Sequence, residues 1–143
     1  MGRILAIDLG EVRTGFAISS EIGGLACGIT TVRESDFEAL AGVACDYIKQ
    51  YKASRVVIGL PVNMDGSHGF ACERAERFAS ILRERTDAAI ELFDERCTTM
   101  LAHRIMNTTD TRGKKRKASV DTLSAEIILQ NYLDAHPELY ICQ

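Results

Sequence analysis

Three acidic residues of this chain, Asp8, Glu95 and Asp121, have the type and setting to hold a divalent metal ion. Asp8 closes the apolar run Ile4-Leu5-Ala6-Ile7 and shortly precedes Gly10. Glu95 lies between Asp94 and Arg96, just after Ile90, Leu92 and Phe93. Asp121 heads a stripe of Ser124, Ala125 and Ile128 at helical spacing. Taken singly, each has a plain structural explanation. An Asp favours a turn through a local hydrogen bond, charges after a strand make a solvated loop, and an acid near a helix start suits the helix dipole. Gathered at one place they would do phosphodiester chemistry. Two metal ions about 3.5–4 Å apart can activate water, offset phosphoryl charge and stabilise the leaving oxygen. Magnesium takes oxygen ligands and keeps several waters, so a few carboxylates suffice. Such chemistry does not require a histidine, and His68 and His103 are expected in solvent.

The charge pattern points to an anionic partner. Arg112, Lys114, Lys115, Arg116 and Lys117 put five basic residues in a window of six, in a chain whose net charge is −3 and would be −8 without them. A cluster like this is either a solvated loop or a phosphate contact. Lys114, Lys115, Arg116 and Lys117 lead directly to Asp121, which favours phosphate positioning. Arg13 and Arg96 flank the acids and would neutralise phosphate or pair with carboxylates. Asn63, with Asp65, Ser67 and His68, occupies the segment after Pro61, either touching substrate or forming a surface turn.

The elements that must position these residues follow from periodicity. The run Ile4–Ile7 reads as a strand buried on both faces. Thr14, Phe16 and Ile18 alternate as a second strand, and a third spans about Leu25 to Val32. Strand–helix alternation follows. Phe37, Leu40, Ala41, Ala44 and Ile48 recur at helical spacing behind Asp36 as N-cap. Val56-Val57-Ile58 is a buried strand stopped at Gly59-Leu60-Pro61, with a loop to Gly69 and a helix from about Phe70 to Glu84. Ile90, Leu92 and Phe93 form the fifth strand. A helix over about Thr98–Met106 leads to a basic loop, and the last helix runs from about Ser119 to Leu133. Strands one, four and five are then parallel. Their carboxyl ends share one edge, where open α/β sheets place their sites.

The 143 residues suit one domain, 1–143, and 46% apolar with 26% charged residues is ordinary globular composition. No apolar run reaches the ~18 residues of a membrane span, and no secretory leader is visible. The five cysteines, Cys27, Cys45, Cys72, Cys97 and Cys142, show no C-x-x-C spacing. They are expected as free thiols in a cytosolic protein.

Four segments resemble motifs of one family, YqgF/RuvX. These are Ile4–Gly10 with Arg13, Gly15 and Ala17–Ser19; Val57–Ser67; Phe93–Arg96 with Thr98-Thr99; and Val120-Asp121 with Ile127–Leu133. They occur in the family's order over nearly the whole chain. The resemblance implies an α/β RNase H-like fold, a mixed five-stranded sheet flanked by helices, related to RuvC-type Holliday junction resolvases. It implies a nuclease for the 5′ end of pre-16S ribosomal RNA, with the acidic site on Asp8, Glu95 and Asp121 and Mg²⁺ or Mn²⁺ as cofactor. Nucleic acid is the implied partner, pre-rRNA before branched DNA, with ribosomal particles and a homodimer as further partners in view. This chain departs from the family pattern at Glu11 and Val12, where Thr then Lys is usual. Cys97, Leu101 and His103 also replace more usual residues. Glu11 is then a fourth carboxylate beside Asp8 or a loss of phosphate contact.

Three other readings stay open: a resolvase of branched DNA, a non-catalytic RNA-binding factor of ribosome assembly, and a sugar kinase or actin-like ATPase. The last group also begins with an Asp-x-Gly hairpin. It needs a second domain to close over nucleotide, for which 143 residues leave no room.

Overall fold

The computed structural model describes residues 2–20, 24–60, 69–94 and 113–136, with side chains from 123 onward in the last stretch. Eight elements follow in order: β1 (Arg3–Leu9), β2 (Arg13–Ser19), β3 (Ala26–Arg33), α1 (Phe37–Tyr51), β4 (Ala53–Leu60), α2 (Phe70–Arg83), β5 (Ala89–Asp94) and α3 (Gly113–Ala135). The strands form one sheet in the order β3-β2-β1-β4-β5. The meander β1-β2-β3 is antiparallel, while β1, β4 and β5 are parallel, as the sequence pattern predicts.

Side chains alternate across a strand, so each strand of the sheet feeds two layers. Leu5, Ile7, Phe16, Ile18, Val56 and Ile58 face α1 and α2, meeting Leu40, Ala41, Ala44, Phe78 and Leu82. Ile4, Ala6, Ala17 and Val57 face α3, meeting Ala125, Ile128, Leu129, Tyr132 and Leu133. Burial on both faces is why β1 reads as a continuous apolar run. The α3 face carries the smaller residues, Ala6 and Ala17 against Ala125, so this helix lies close on the sheet.

Asp36 caps α1 as expected, its carboxylate accepting from the Glu38 N–H at 3.4 Å. The last helix departs from expectation. It begins at Gly113, so the basic run Lys114–Lys117 is helical and not a loop. Lys and Arg are good helix formers, and no proline interrupts 113–135. The expected helix over 98–106, the loop after Pro61 and the carboxyl terminus lie outside the described residues.

Candidate active site

Asp8 is the penultimate residue of β1 and pairs with Gly15 of β2. It has the parity of Ile4 and Ala6, so it belongs to the α3 face of the sheet. Its residue is half-buried. Beyond it the chain reverses over Gly10, Glu11 and Val12. Gly10 is obligatory here, because a Cβ would stand 2.2 Å from the Arg13 carbonyl oxygen. Glu11, Val12 and Arg13 are exposed. Arg13 pairs in register with the exposed Arg33 of β3, so two cationic residues stand opposite one another at this edge.

The carboxyl ends of β4 and β5 reach the same edge. Leu60 pairs with Asp94 in the parallel ladder. Thus β5 delivers the chain two strands away from β1, about 10 Å at ordinary strand spacing. Glu95 is the next residue in sequence and lies outside the described residues, as do Arg96 and Asn63.

Helix α3 brings position 121 to the level of Asp8. Three hydrogen bonds set its direction. The Glu126 carboxylate accepts from the Gly28 backbone N–H. The Gln130 side chain accepts from the Ala26 N–H at 3.1 Å and donates to the Gly24 carbonyl at 3.0 Å. From 126 to 130 the helix therefore descends along β3, away from the carboxyl edge. Position 121 is five residues back, about 7.5 Å toward that edge at helical rise. Gly28 is in the row of Ala17 and Ala6. Asp8 lies two residues past Ala6, about 6.7 Å toward the same edge. The two distances match. Position 121 also falls on the helical stripe of Ala125, Ile128 and Tyr132, which are buried against the sheet.

Of the ten residues singled out in the sequence, Asp8 and Arg13 have described side chains. Asp121, Lys114, Lys115, Arg116 and Lys117 are placed as positions of α3. The first turn of α3 contains no acid, so the basic run coincides with the positive end of the helix dipole. Among the described residues no three His, Cys, Asp or Glu side chains form a metal-binding group. Asp8 alone represents the proposed ligands there. Its oxygen donors and half-buried setting fit a hard divalent cation.

Three residues beside the site were not singled out from sequence. Arg33 enters through its register with Arg13. Arg74 of α2 donates from Nη2 to the Gly10 carbonyl at 3.2 Å, with its guanidinium 5.4 Å from the centre of the Phe37 ring. Phe70 opens α2 with 70% of its surface exposed. Spacing within α2 marks only an amphipathic helix, so these contacts carry no local signal. Glu126 has a pKa raised above its ordinary value by burial, opposed by the Gly28 N–H.

The comparisons with known proteins agree with this architecture. A family model described as "RuvX: Holliday junction resolvase" matches residues 2–135. A protein of Bacillus cytotoxicus named "Putative pre-16S rRNA nuclease" is 40% identical, over 93% of this chain and 98% of its own. One of the same name from Halalkalibacterium halodurans is 41% identical, over 92% and 96%. Among solved structures, T. thermophilus RuvC in complex with a Holliday junction substrate superposes with a TM-score of 0.63 at 9% identity, covering 97% of this chain and 96% of that one. The Fowlpox virus resolvase complexed with Holliday junction DNA gives 0.56 at 8% identity, covering 93% and 97%. At such identity the likeness concerns the fold alone, the RNase H-like arrangement of a mixed five-stranded sheet with flanking helices.

Proposed function

The chain belongs to the RuvX family, and from that premise we propose that it is a metal-dependent endonuclease that hydrolyses phosphodiester bonds in 5′-end processing of pre-16S rRNA. The observation that carries this reading is the coincidence of Asp8 and helix position 121 at one level of the α3 face, at the carboxyl edge of the parallel strands. The names of the relatives support the RNA substrate.

Asp8, Glu95 and Asp121 would hold Mg²⁺ or Mn²⁺. A divalent ion bound there supplies a more acidic water and offsets phosphoryl charge. The protein's own groups orient the substrate. Asp8 is held by its place in the β1–β2 ladder. Arg13 and its cross-strand neighbour Arg33 offer guanidinium groups, which match phosphate oxygens in planar, bidentate fashion. Lys114, Lys115, Arg116 and Lys117 add phosphate contacts from the start of α3, with Asn63 and Arg96 contacting substrate nearby. Such contacts position the chain of nucleotides without reading its sequence.

The free thiols Cys27, Cys45 and Cys72 fit a reducing compartment, so the reading places the protein in the cytoplasm. No helix of the described residues is long and apolar enough to cross a membrane.

The test is cleavage of a pre-16S leader RNA by purified protein with Mg²⁺ or Mn²⁺. Asp8→Asn should lower the rate by more than about 100-fold, since even groups that merely orient metal ligands cost 10–100-fold. RNA affinity should stay within about twofold and fall steeply with salt. Processing by the variant at the wild-type rate would remove Asp8 from the site. The family description favours one second reading, a resolvase of branched DNA. A four-way junction cut faster than the leader RNA would establish it, with a homodimer as the working unit. Intact processing by both Asp8→Asn and Glu95→Gln would instead leave a non-catalytic assembly factor, acting on ribosomal particles.

A further inference from the structure

The β1–β2 turn joins two residues that the nuclease reading needs, Asp8 and Arg13, and its position depends on more than the ladder. The ladder ends at the pair Leu9–Thr14. Beyond it lie Gly10, which admits no side chain, and the exposed residues Glu11 and Val12. Asp8 belongs to the α3 face, but the Gly10 carbonyl is met from the opposite layer, by Arg74 of α2 at 3.2 Å. That guanidinium is itself held. It lies over the Phe37 ring at 5.4 Å, and Phe37 packs edge-on against the buried Phe78 at 5.5 Å. Arg74 is half-buried, and its two contacts join α1, α2 and the turn at one point. A planar guanidinium can stack by its face on a ring and donate in its plane to a carbonyl at once. A lysine ammonium has the charge and the donor, but no face to stack.

We propose that Arg74 is a positioning residue: through the Gly10 carbonyl it fixes the β1–β2 turn, and so the placement of Asp8 and Arg13 relative to a metal-held phosphate. This inference rests on the nuclease reading given above. It predicts an effect opposite in sign to simple electrostatics. Removing a cation beside a metal site would by itself strengthen metal binding. Loosening the shell behind a ligand weakens it, by 10–100-fold in metal sites of known design.

The experiment compares wild type, Arg74→Met, Arg74→Lys and Asp8→Asn. Met keeps an apolar chain over Phe37 and removes the donor. Mn²⁺ binding is measured by calorimetry, amide hydrogen exchange over residues 9–13 by mass spectrometry, and RNA cleavage at saturating metal. Arg74→Met should bind Mn²⁺ about tenfold more weakly, exchange faster in the turn, and lose about tenfold in kcat with KM within about twofold. Arg74→Lys should recover part of the exchange protection and of the metal affinity. Wild-type or tighter Mn²⁺ binding by Arg74→Met, with unchanged exchange in the turn, overturns the proposal. Should Asp8→Asn leave Mn²⁺ affinity untouched, the metal reading itself fails. The exchange measurement then still decides whether Arg74 holds the turn.

Discussion

At the amino edge of the parallel strands, polar groups close on one another. Ser19 accepts from the Arg3 guanidinium through its carbonyl at 2.9 Å and from the Ile4 N–H through its hydroxyl at 2.8 Å. Gln130, only 2% exposed, bonds Gly24, Ala26 and Asp134. Further along, at mid-sheet, Glu91 accepts from Arg55 at 3.2 Å and from the Tyr132 hydroxyl, and Tyr132 packs edge-on against Phe93. At the carboxyl edge the chain instead exposes Glu11, Val12 and Arg13 just beyond Asp8, and Phe70 at the start of α2. At the first edge the described polar groups lie within the fold. At the second, the described residues present charge and an aromatic ring outward. The difference teaches where each kind of substitution should register: in stability at the first edge, in activity at the second.

The sharpest test of that contrast is Asp8→Asn, with more than about 100-fold lost activity and a Tm within about 2 °C of wild type, because one half-buried carboxylate oxygen becomes an amide of the same shape. A collapse in Tm would show that the carboxyl edge is structural after all. Gln130→Leu should do the reverse. It strands the half-buried Gly24 carbonyl and Ala26 N–H, at about 1–2 kcal/mol, or about 3–6 °C in Tm for a domain of this size. Cleavage at saturating substrate should stay within about twofold. A larger activity loss would break the separation of the two edges.

Tyr132→Phe is expected to be milder, about 1 kcal/mol in urea unfolding at pH 8. Its pH dependence is more telling. Burial first, then the hydrogen bond and charge of Glu91, push the Tyr132 phenol from 10.0 up to about 12. The folded state thus favours the protonated phenol. The resulting stability is complete below the unfolded value near pH 10 and is lost as pH rises through the folded one. The gap between wild type and Tyr132→Phe should therefore narrow from pH 8 to pH 11.5. A constant gap would place the Tyr132 hydroxyl outside the Glu91 cluster. The smallest effect, and of opposite sign, concerns the amino end of β2. The Thr14 hydroxyl is buried with no hydrogen-bond partner among the described residues. Thr14→Val keeps the shape and removes the unmet group, so stability should rise by about 1 kcal/mol with activity unchanged. A loss of activity would place that hydroxyl in the working edge.

Much of the fold was legible in the residues themselves. Alternation of Thr14, Phe16 and Ile18, the Asp36 cap and the apolar run before Asp8 are local features, and the meander, α1 and the parallel strands follow from them. The start of α3 is not legible locally, because a dense basic run reads as a solvated loop. Helix propensity continues through those residues to Gly113 in spite of their unfavourable placement on the dipole. The contact of Arg74 with Gly10 spans 64 positions, and Tyr132 meets Glu91 across 41. No short-range pattern encodes such pairs.

By itself, then, the sequence determined most of the elements, the parallel core and the acids at the ends of β1 and β5, because periodicity and turn chemistry act between near neighbours. Only the tertiary structure decided that Asp8 faces α3, that position 121 comes level with it, that Arg33 stands opposite Arg13 and that Arg74 holds the turn from the other layer. Those relations depend on strand register and on the direction in which α3 crosses the sheet. Both are set by packing and hydrogen bonds between residues far apart in the chain.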